Sequence, residues 1–219
     1  MHETPTYQPK TKLVWISPNA EDTIAYCARV SNPAGQEKPI GRLLSYCMEH
    51  GHVSVFEMAS ACVEINTTRE IARQILRHRS FSFQEFSQRY EDVAALGNTI
   101  VFKEARLQDT KNRQNSLVTD DNELQNWFDY QQHYIQTAAR QVYEEALKRG
   151  IAKEQARVFL PEGLTQSRMY MSGTIRSFIH YCSLRTANGT QREHIEVARQ
   201  IRELLKPHFP NSGELLFPN

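Results

Sequence analysis

Apolar residues recur along the chain with two periods, and the places where one gives way to the other mark the elements. Leu13 to Ser17 (LVWIS) is an apolar run of strand length, and Ala59 to Asn66 (ASACVEIN) alternates as a half-buried strand does. Thr165 to Ser172 (TQSRMYMS) suits a third extended segment. Elsewhere the spacing turns to three and four. Ala20 to Val30 follows the helix-start residues Ser17-Pro18-Asn19 and sets Ile24, Cys27 and Ala28 on one side. Pro39 to His50 carries Leu43, Leu44, Cys47 and Met48, with Gly51 as its left-handed cap. Thr67 to Leu76 opens on a Thr67-x-x-Glu70 capping box and groups Ile71, Ala72 and Ile75. Glu123 to Arg149, closed by Gly150, is the longest predicted helix. Its stripe of Trp127, Phe128, Tyr134, Ile135, Ala138, Val142, Ala146 and Leu147 suits core or subunit packing better than a cofactor box. Lys153 to Phe159, Ile175 to Leu184 and a last helix from Thr190 to Lys206 complete the set. Lys103 to Asn122 holds many charges and amides with only three aliphatic residues beyond Ala105, and reads as an exposed loop or lid.

No internal repeat, low-complexity tract or linker interrupts this order, so residues 1–219 make one domain. The expected class is α/β of the α+β type, with an antiparallel-leaning mixed sheet flanked by long helices. The balance of 26 Lys+Arg against 25 Asp+Glu leaves a net charge of +1. No global field then draws the chain to nucleic acid or membrane, and any basic site is local. Four cysteines lie far apart with no CxxC pair, against a disulfide framework or a zinc site and in favour of a reducing cytoplasm. The N-terminus (MHETPTYQPK) lacks an apolar core, and no apolar run approaches membrane-spanning length. A low mean hydropathy leaves room for partner subunits to complete the core.

Chemistry concentrates between Arg77 and Tyr90, RHRSFSFQEFSQRY. Arg77, His78, Arg79 and Arg89 stand among serines, a Gln-Glu pair, phenylalanines and a tyrosine. Guanidinium forks with hydroxyls between them suit an anion, and the interleaved aromatics suit a flat ligand. The bland alternative is a helix whose basic C-terminal end answers its dipole. The spacing of Arg77, His78, Arg79, Ser82, Glu85, Ser87, Arg89 and Tyr90 resembles the signature of the flavin-dependent thymidylate synthases. Gln84 stands where many members have Asn.

The resemblance extends to HGHVSVFEM (His50 to Met58) and to GTIRSFIHYCSLRTANGTQREH, which begins at Gly173. It implies that Ser54, usually Thr in the family, contacts the flavin with Arg77, His78, Arg79, Thr174, Ile175, Arg176 and His180, and that Glu85 lies between the two ligands. Val55 replaces a frequent Pro, Thr174 and His180 replace an Asn of some members, and Gly189 replaces a His. The nucleotide falls by the same likeness to Glu85, Phe86, Ser87, Gln88 and Arg89, with Gln74, Arg77 and Arg157. Arg185 corresponds to the family's active-site arginine, which stabilises the ionised pyrimidine, and His52 is a candidate near the folate. The implied reaction makes dTMP from dUMP, with FAD as cofactor and 5,10-methylenetetrahydrofolate and NADPH as co-substrates. A homotetramer sharing its active sites between subunits is implied as well.

The residues themselves fit that division of labour. Adding carbon to C5 of a uracil ring usually needs a thiolate at C6, and no Cys falls in the anion-binding stretch. A flavin offers another route and leaves the protein to bind and orient. No GxGxxG, Walker, GxSxG or HExxH sequence is present, and no metal is expected. Two other classes compete. A single-stranded nucleic-acid module would use the Arg/aromatic stretch 77–90 as a stacking platform. A nucleotide hydrolase would use Glu57 and Glu85 but lacks a metal-holding carboxylate cluster.

Overall fold

The computed structural model describes residues 7–97 and 101–218. Its strands are β1 (Lys10–Ile16), β2 (Ser60–Thr68), β3 (Ser82–Glu85), β4 (Arg106–Gln108), β5 (Ser116–Val118) and β6 (Gln166–Thr174). Its helices are α1 (Ala20–Ala28), α2 (Leu43–Glu49), α3 (Arg69–Ile75), α4 (Asn122–Lys148), α5 (Lys153–Ala156), α6 (Ile175–Arg185), α7 (Arg192–Leu205) and α8 (Gly213–Leu216). The main sheet runs β1-β2-β6-β3, and β4 pairs with β5 alone. Every described pairing is antiparallel, so the sheet expected to be mixed is not.

Register explains the two faces. Val63 pairs with Met171 and Ile65 with Met169, all fully buried, and this face packs with Ile71, Ile75, Phe178, Val197 and Ile201 of the helices. Truncating either methionine to Ala would cost about 2–5 kcal/mol. The opposite face pairs Glu64 with Tyr170 and Asn66 with Arg168. Those four bond one another instead: Arg168 Nε donates to Asn66 Oδ1 at 2.8 Å and Tyr170 Oη to Glu64 at 3.1 Å.

Three expectations change. The helix expected from Pro39 begins only at Leu43, because the Arg29 guanidinium grips the carbonyls of Lys38 and Pro39 at 2.5 and 2.8 Å and Gly41 turns with φ +54°. The Thr67–Glu70 capping box does not form. Thr67 is still paired with Ser167 in the ladder, α3 starts after it at Arg69, and Glu70 turns to Lys103 instead. Lys103 to Asn122, expected as an exposed loop or lid, holds the β4–β5 hairpin and a docked arm.

That arm is fastened by side-chain amides. Gln136, Gln132 and Gln125 of α4 each bond both the N–H and the C=O of one arm residue: Val101, Lys103 and Ala105 respectively. Alternate residues of an extended chain present their polar groups to one side, so three amides on one helix face serve as a neighbouring strand. As a result, α4 buries Gln132 and leaves Trp127, Tyr134, Ile135 and Val142 exposed in the single chain.

Candidate functional site

The anticipated residues gather in two groups at opposite ends of β6. At the Thr174 end, Thr174 caps α6, its Oγ1 accepting from the Ser177 N–H at 3.2 Å. Arg176, His180 and Ser80 surround a cavity of about 520 Å³ whose apolar wall is Val53, Phe56 and Ile179. Arg176 pairs across it with Glu57. His52 and Ser54 are exposed beside Val53, with His52 in a ring series through His50 to Tyr46. Arg77 and Arg79 stand exposed just beyond α3.

His78, between them, turns inward. Its ring meets Tyr181 edge-on at 4.9 Å, and Arg185 Nε donates to its Nε2 at 2.8 Å. Burial first, then the charges of Arg185 and His180, push its pKa down to about 4. The imidazole is therefore neutral near pH 7, with its proton on Nδ1 and its lone pair holding the Arg185 guanidinium.

Ile175 opens α6 with its side chain fully buried, because the helix turns Ile175, Phe178 and Tyr181 to the core. Its N–H donates to the Ala59 carbonyl at 2.9 Å.

At the Gln166 end, Phe86 N–H continues the β3–β6 pairing by donating to Arg168 O at 2.8 Å. Ser87 and Arg89 are exposed beyond it, and Gln88 turns inward. A cleft of about 430 Å³ is lined by Arg69, Arg73, Gln88 and Arg157 with Glu154 and Glu162. Gln88 is 4% exposed, and its Nε2 is buried without a hydrogen-bond partner. Arg89 Nε lies 3.4 Å from Glu154, and Arg73 pairs with Glu162. Glu85 accepts from the Ser167 hydroxyl at 2.7 Å, with Arg69 at 3.7 Å. Arg69 and Arg73 were not among the anticipated residues. Their four-residue spacing, which puts both on one side of a helix, was the available signal.

Gln74 reaches neither cleft. Its amide lies between α3 and α7, donating to Gln191 Oε1 at 2.7 Å. β6 has nine residues, so its two ends stand roughly 25 Å apart along the sheet. A nucleotide is much shorter than that.

Three of the four thiols are held protonated by burial. Burial raises the pKa of Cys47 and Cys62 and pushes Cys182 up to about 12. No group that could hold a metal ion occurs among the described residues. Nor does any helix there have the length and apolarity to cross a membrane. The aromatics that a stacking platform would use are mostly turned inward: Phe81 is buried against Phe178 at 4.8 Å, Phe83 and Phe86 are half-buried, and Tyr90 alone of the aromatics in the stretch is exposed.

Comparison with known proteins agrees over nearly the whole chain. A family model described as thymidylate synthase complementing protein matches residues 12–211. A probable flavin-dependent thymidylate synthase of Paramecium bursaria Chlorella virus 1 is 50% identical over 199 residues, 90% of either chain. A flavin-dependent thymidylate synthase of Synechocystis sp. is 50% identical over 196 residues, covering 90% of this chain and 89% of that one. Among solved structures, the UMP/dUMP methylase PolB of Streptomyces cacaoi, bound with 5-Br dUMP, superposes with a TM-score of 0.81. It is 27% identical, with 94% of this chain and 93% of that chain covered.

Proposed function

Because the chain belongs to the flavin-dependent thymidylate synthases, we propose that it methylates dUMP to dTMP with FAD bound at the Thr174 end of β6 and the nucleotide phosphate at the Gln166 end. Methylenetetrahydrofolate supplies the carbon and NADPH the reducing equivalents, in the cytoplasm. The observation that carries this reading is Arg185, a permanent cation held in place by a neutral histidine. A guanidinium fixed before the reaction favours the negative charge that develops on a pyrimidine ring as N3 loses its proton.

The residues fit both ligands. The polar rim of Arg176, His180 and Ser80 over Phe56 and Ile179 suits a flat ring system, and Arg77 and Arg79 beyond it suit a pyrophosphate. Arg69, Arg73 and Arg157, with the unpartnered Gln88 donor, suit a phosphate, joined by Ser87 and Arg89. Once bound, flavin supplies the hydride chemistry that lets the reaction dispense with a cysteine nucleophile.

For both groups to touch one nucleotide, the Thr174 end of one subunit must meet the Gln166 end of another. This supports the shared active sites of a homotetramer. The exposed stripe of Trp127, Tyr134, Ile135 and Val142 on α4 is the surface available to such packing. The test is turnover of dUMP with methylenetetrahydrofolate and NADPH, run beside Arg185→Ala. A yellow protein that forms dTMP, and a variant that keeps its colour but not its turnover, are expected. A colourless protein inactive even with added FAD would refute the reading.

A further inference from the structure

Two arginines of α6 are held in opposite ways. Arg176, in its first turn, is paired with the Glu57 carboxylate. Arg185, its last residue, has no carboxylate partner among the described residues, and its one hydrogen bond runs from Nε to His78 Nε2 at 2.8 Å. With Nε spent on His78, the two terminal NH2 groups are the face left to a ligand. They are unpartnered but not sealed from solvent.

An imidazolium carries a proton on both nitrogens and can accept at neither, so a guanidinium donor is received only by the neutral ring. The surroundings of His78 keep it in that form and in that place. Its main chain closes α3, the His78 N–H donating to the Ile75 carbonyl at 3.0 Å. Its ring stands edge-on to Tyr181 of α6 at 4.9 Å and to His194 of α7 at 6.3 Å, both fully buried. Tyr181 Oη and His194 Nε2 lie 3.0 Å apart and hold each other. Desolvation first, then Arg185 and His180, disfavour a second proton on the His78 ring.

We propose that His78 is a positioning residue for Arg185 rather than a flavin contact: a neutral acceptor that aims the guanidinium without cancelling its charge. A carboxylate could hold the same group, as Glu57 holds Arg176, but it would offset the positive charge that a ring becoming anionic requires. The inference rests on the dUMP-methylating reading and on Arg185 as the group that meets the pyrimidine.

Three variants of the full-length enzyme with FAD bound test it. His78→Gln offers Arg185 a neutral amide oxygen, His78→Glu a charged oxygen on a side chain of the same size, and His78→Leu none. His78→Leu is expected to lower kcat about 30-fold, part of the effect of losing a preorganised donor outright. His78→Gln should recover to within about fivefold of the parent, and His78→Glu should stay about tenfold or more below it. Flavin content and the KM for dUMP are expected to stay within about threefold throughout, because the reacting ring and not the bound ground state feels the change. Loss of flavin in all three variants overturns the proposal, since His78 would then be a flavin contact. A Gln variant no more active than the Leu variant overturns it too, because holding Arg185 would not matter. So does a Glu variant as active as the Gln variant, because neutrality would not matter. Equal falls of kcat and melting temperature in all three mark a structural role and also overturn it. A parent enzyme that binds no FAD and makes no dTMP would defeat the functional reading itself, an outcome separate from these.

Discussion

The two ends of β6 solve the problem of holding cations in different ways. At the Thr174 end one charge is set in place by the fold: Arg185 is held by His78, itself packed on Tyr181 over a buried histidine. At the Gln166 end the arginines are parked on exposed carboxylates, Arg89 on Glu154 and Arg73 on Glu162, and a buried amide N–H waits without an acceptor. Exposed ion pairs contribute about 0–1 kcal/mol. A phosphate can therefore replace those carboxylates at small cost. Under the proposed assignment, Arg185 is in place before the ligand arrives, and the Gln166 end is completed by it. The difference matches the tasks, since charge stabilisation during reaction needs fixed groups and phosphate binding tolerates exchange.

The largest effect expected from this contrast is that of Arg185→Ala, which should lower turnover about 10²–10³-fold while flavin stays bound, as read by the visible spectrum. Arg89→Ala should weaken dUMP binding about 10–100-fold, the range for one charge-assisted hydrogen bond. It too should keep its flavin. Loss of flavin with normal nucleotide affinity would break the division between the ends. Mixing the two variants after mild dissociation should restore activity above that of either alone, because some sites then draw an intact end from each chain. No recovery would place both ends in one subunit's site.

Acid should sharpen the contrast further. His78 has a folded pKa of about 4, below the ordinary value of 6.5. Its contribution to stability is complete above pH 6.5 and is lost as pH falls from 6.5 towards 4, because the unfolded chain takes up the proton first. After allowance for partial exposure, His78 alone is worth on the order of 2 kcal/mol. His194, with a folded pKa of about 3, extends the loss in the same direction. Urea midpoints measured between pH 7 and 4 should fall accordingly. The smallest effect is that of Glu57→Gln. Arg176 and Glu57 are both exposed, so stability should change by less than about 1 kcal/mol.

Much of this was legible in the chain. The apolar periods marked β1, β2, β6 and the four longest helices, because tertiary packing uses the same faces that the periods create. The Arg77 to Tyr90 motif pointed to the chemistry through its resemblance to the family's signature, since the residues themselves left a basic helix end and a stacking platform open. The amides of Gln125, Gln132 and Gln136 were not legible as strand partners, because a side chain that bonds backbone leaves no apolar period. The exposed stripe of α4 looked the same as a buried one for the same reason.

What the sequence determined by itself is therefore the identity of the groups and the elements that carry them. Only the tertiary structure decided their places. Antiparallel pairing of β3 with β6 carries Gln88 and Arg89 to one end of the sheet, and the return of α3 leaves His78 beside Arg185 at the other. Distance between residues near in sequence is set by which strand edge they meet, and hydrogen-bond register is a property of two segments together.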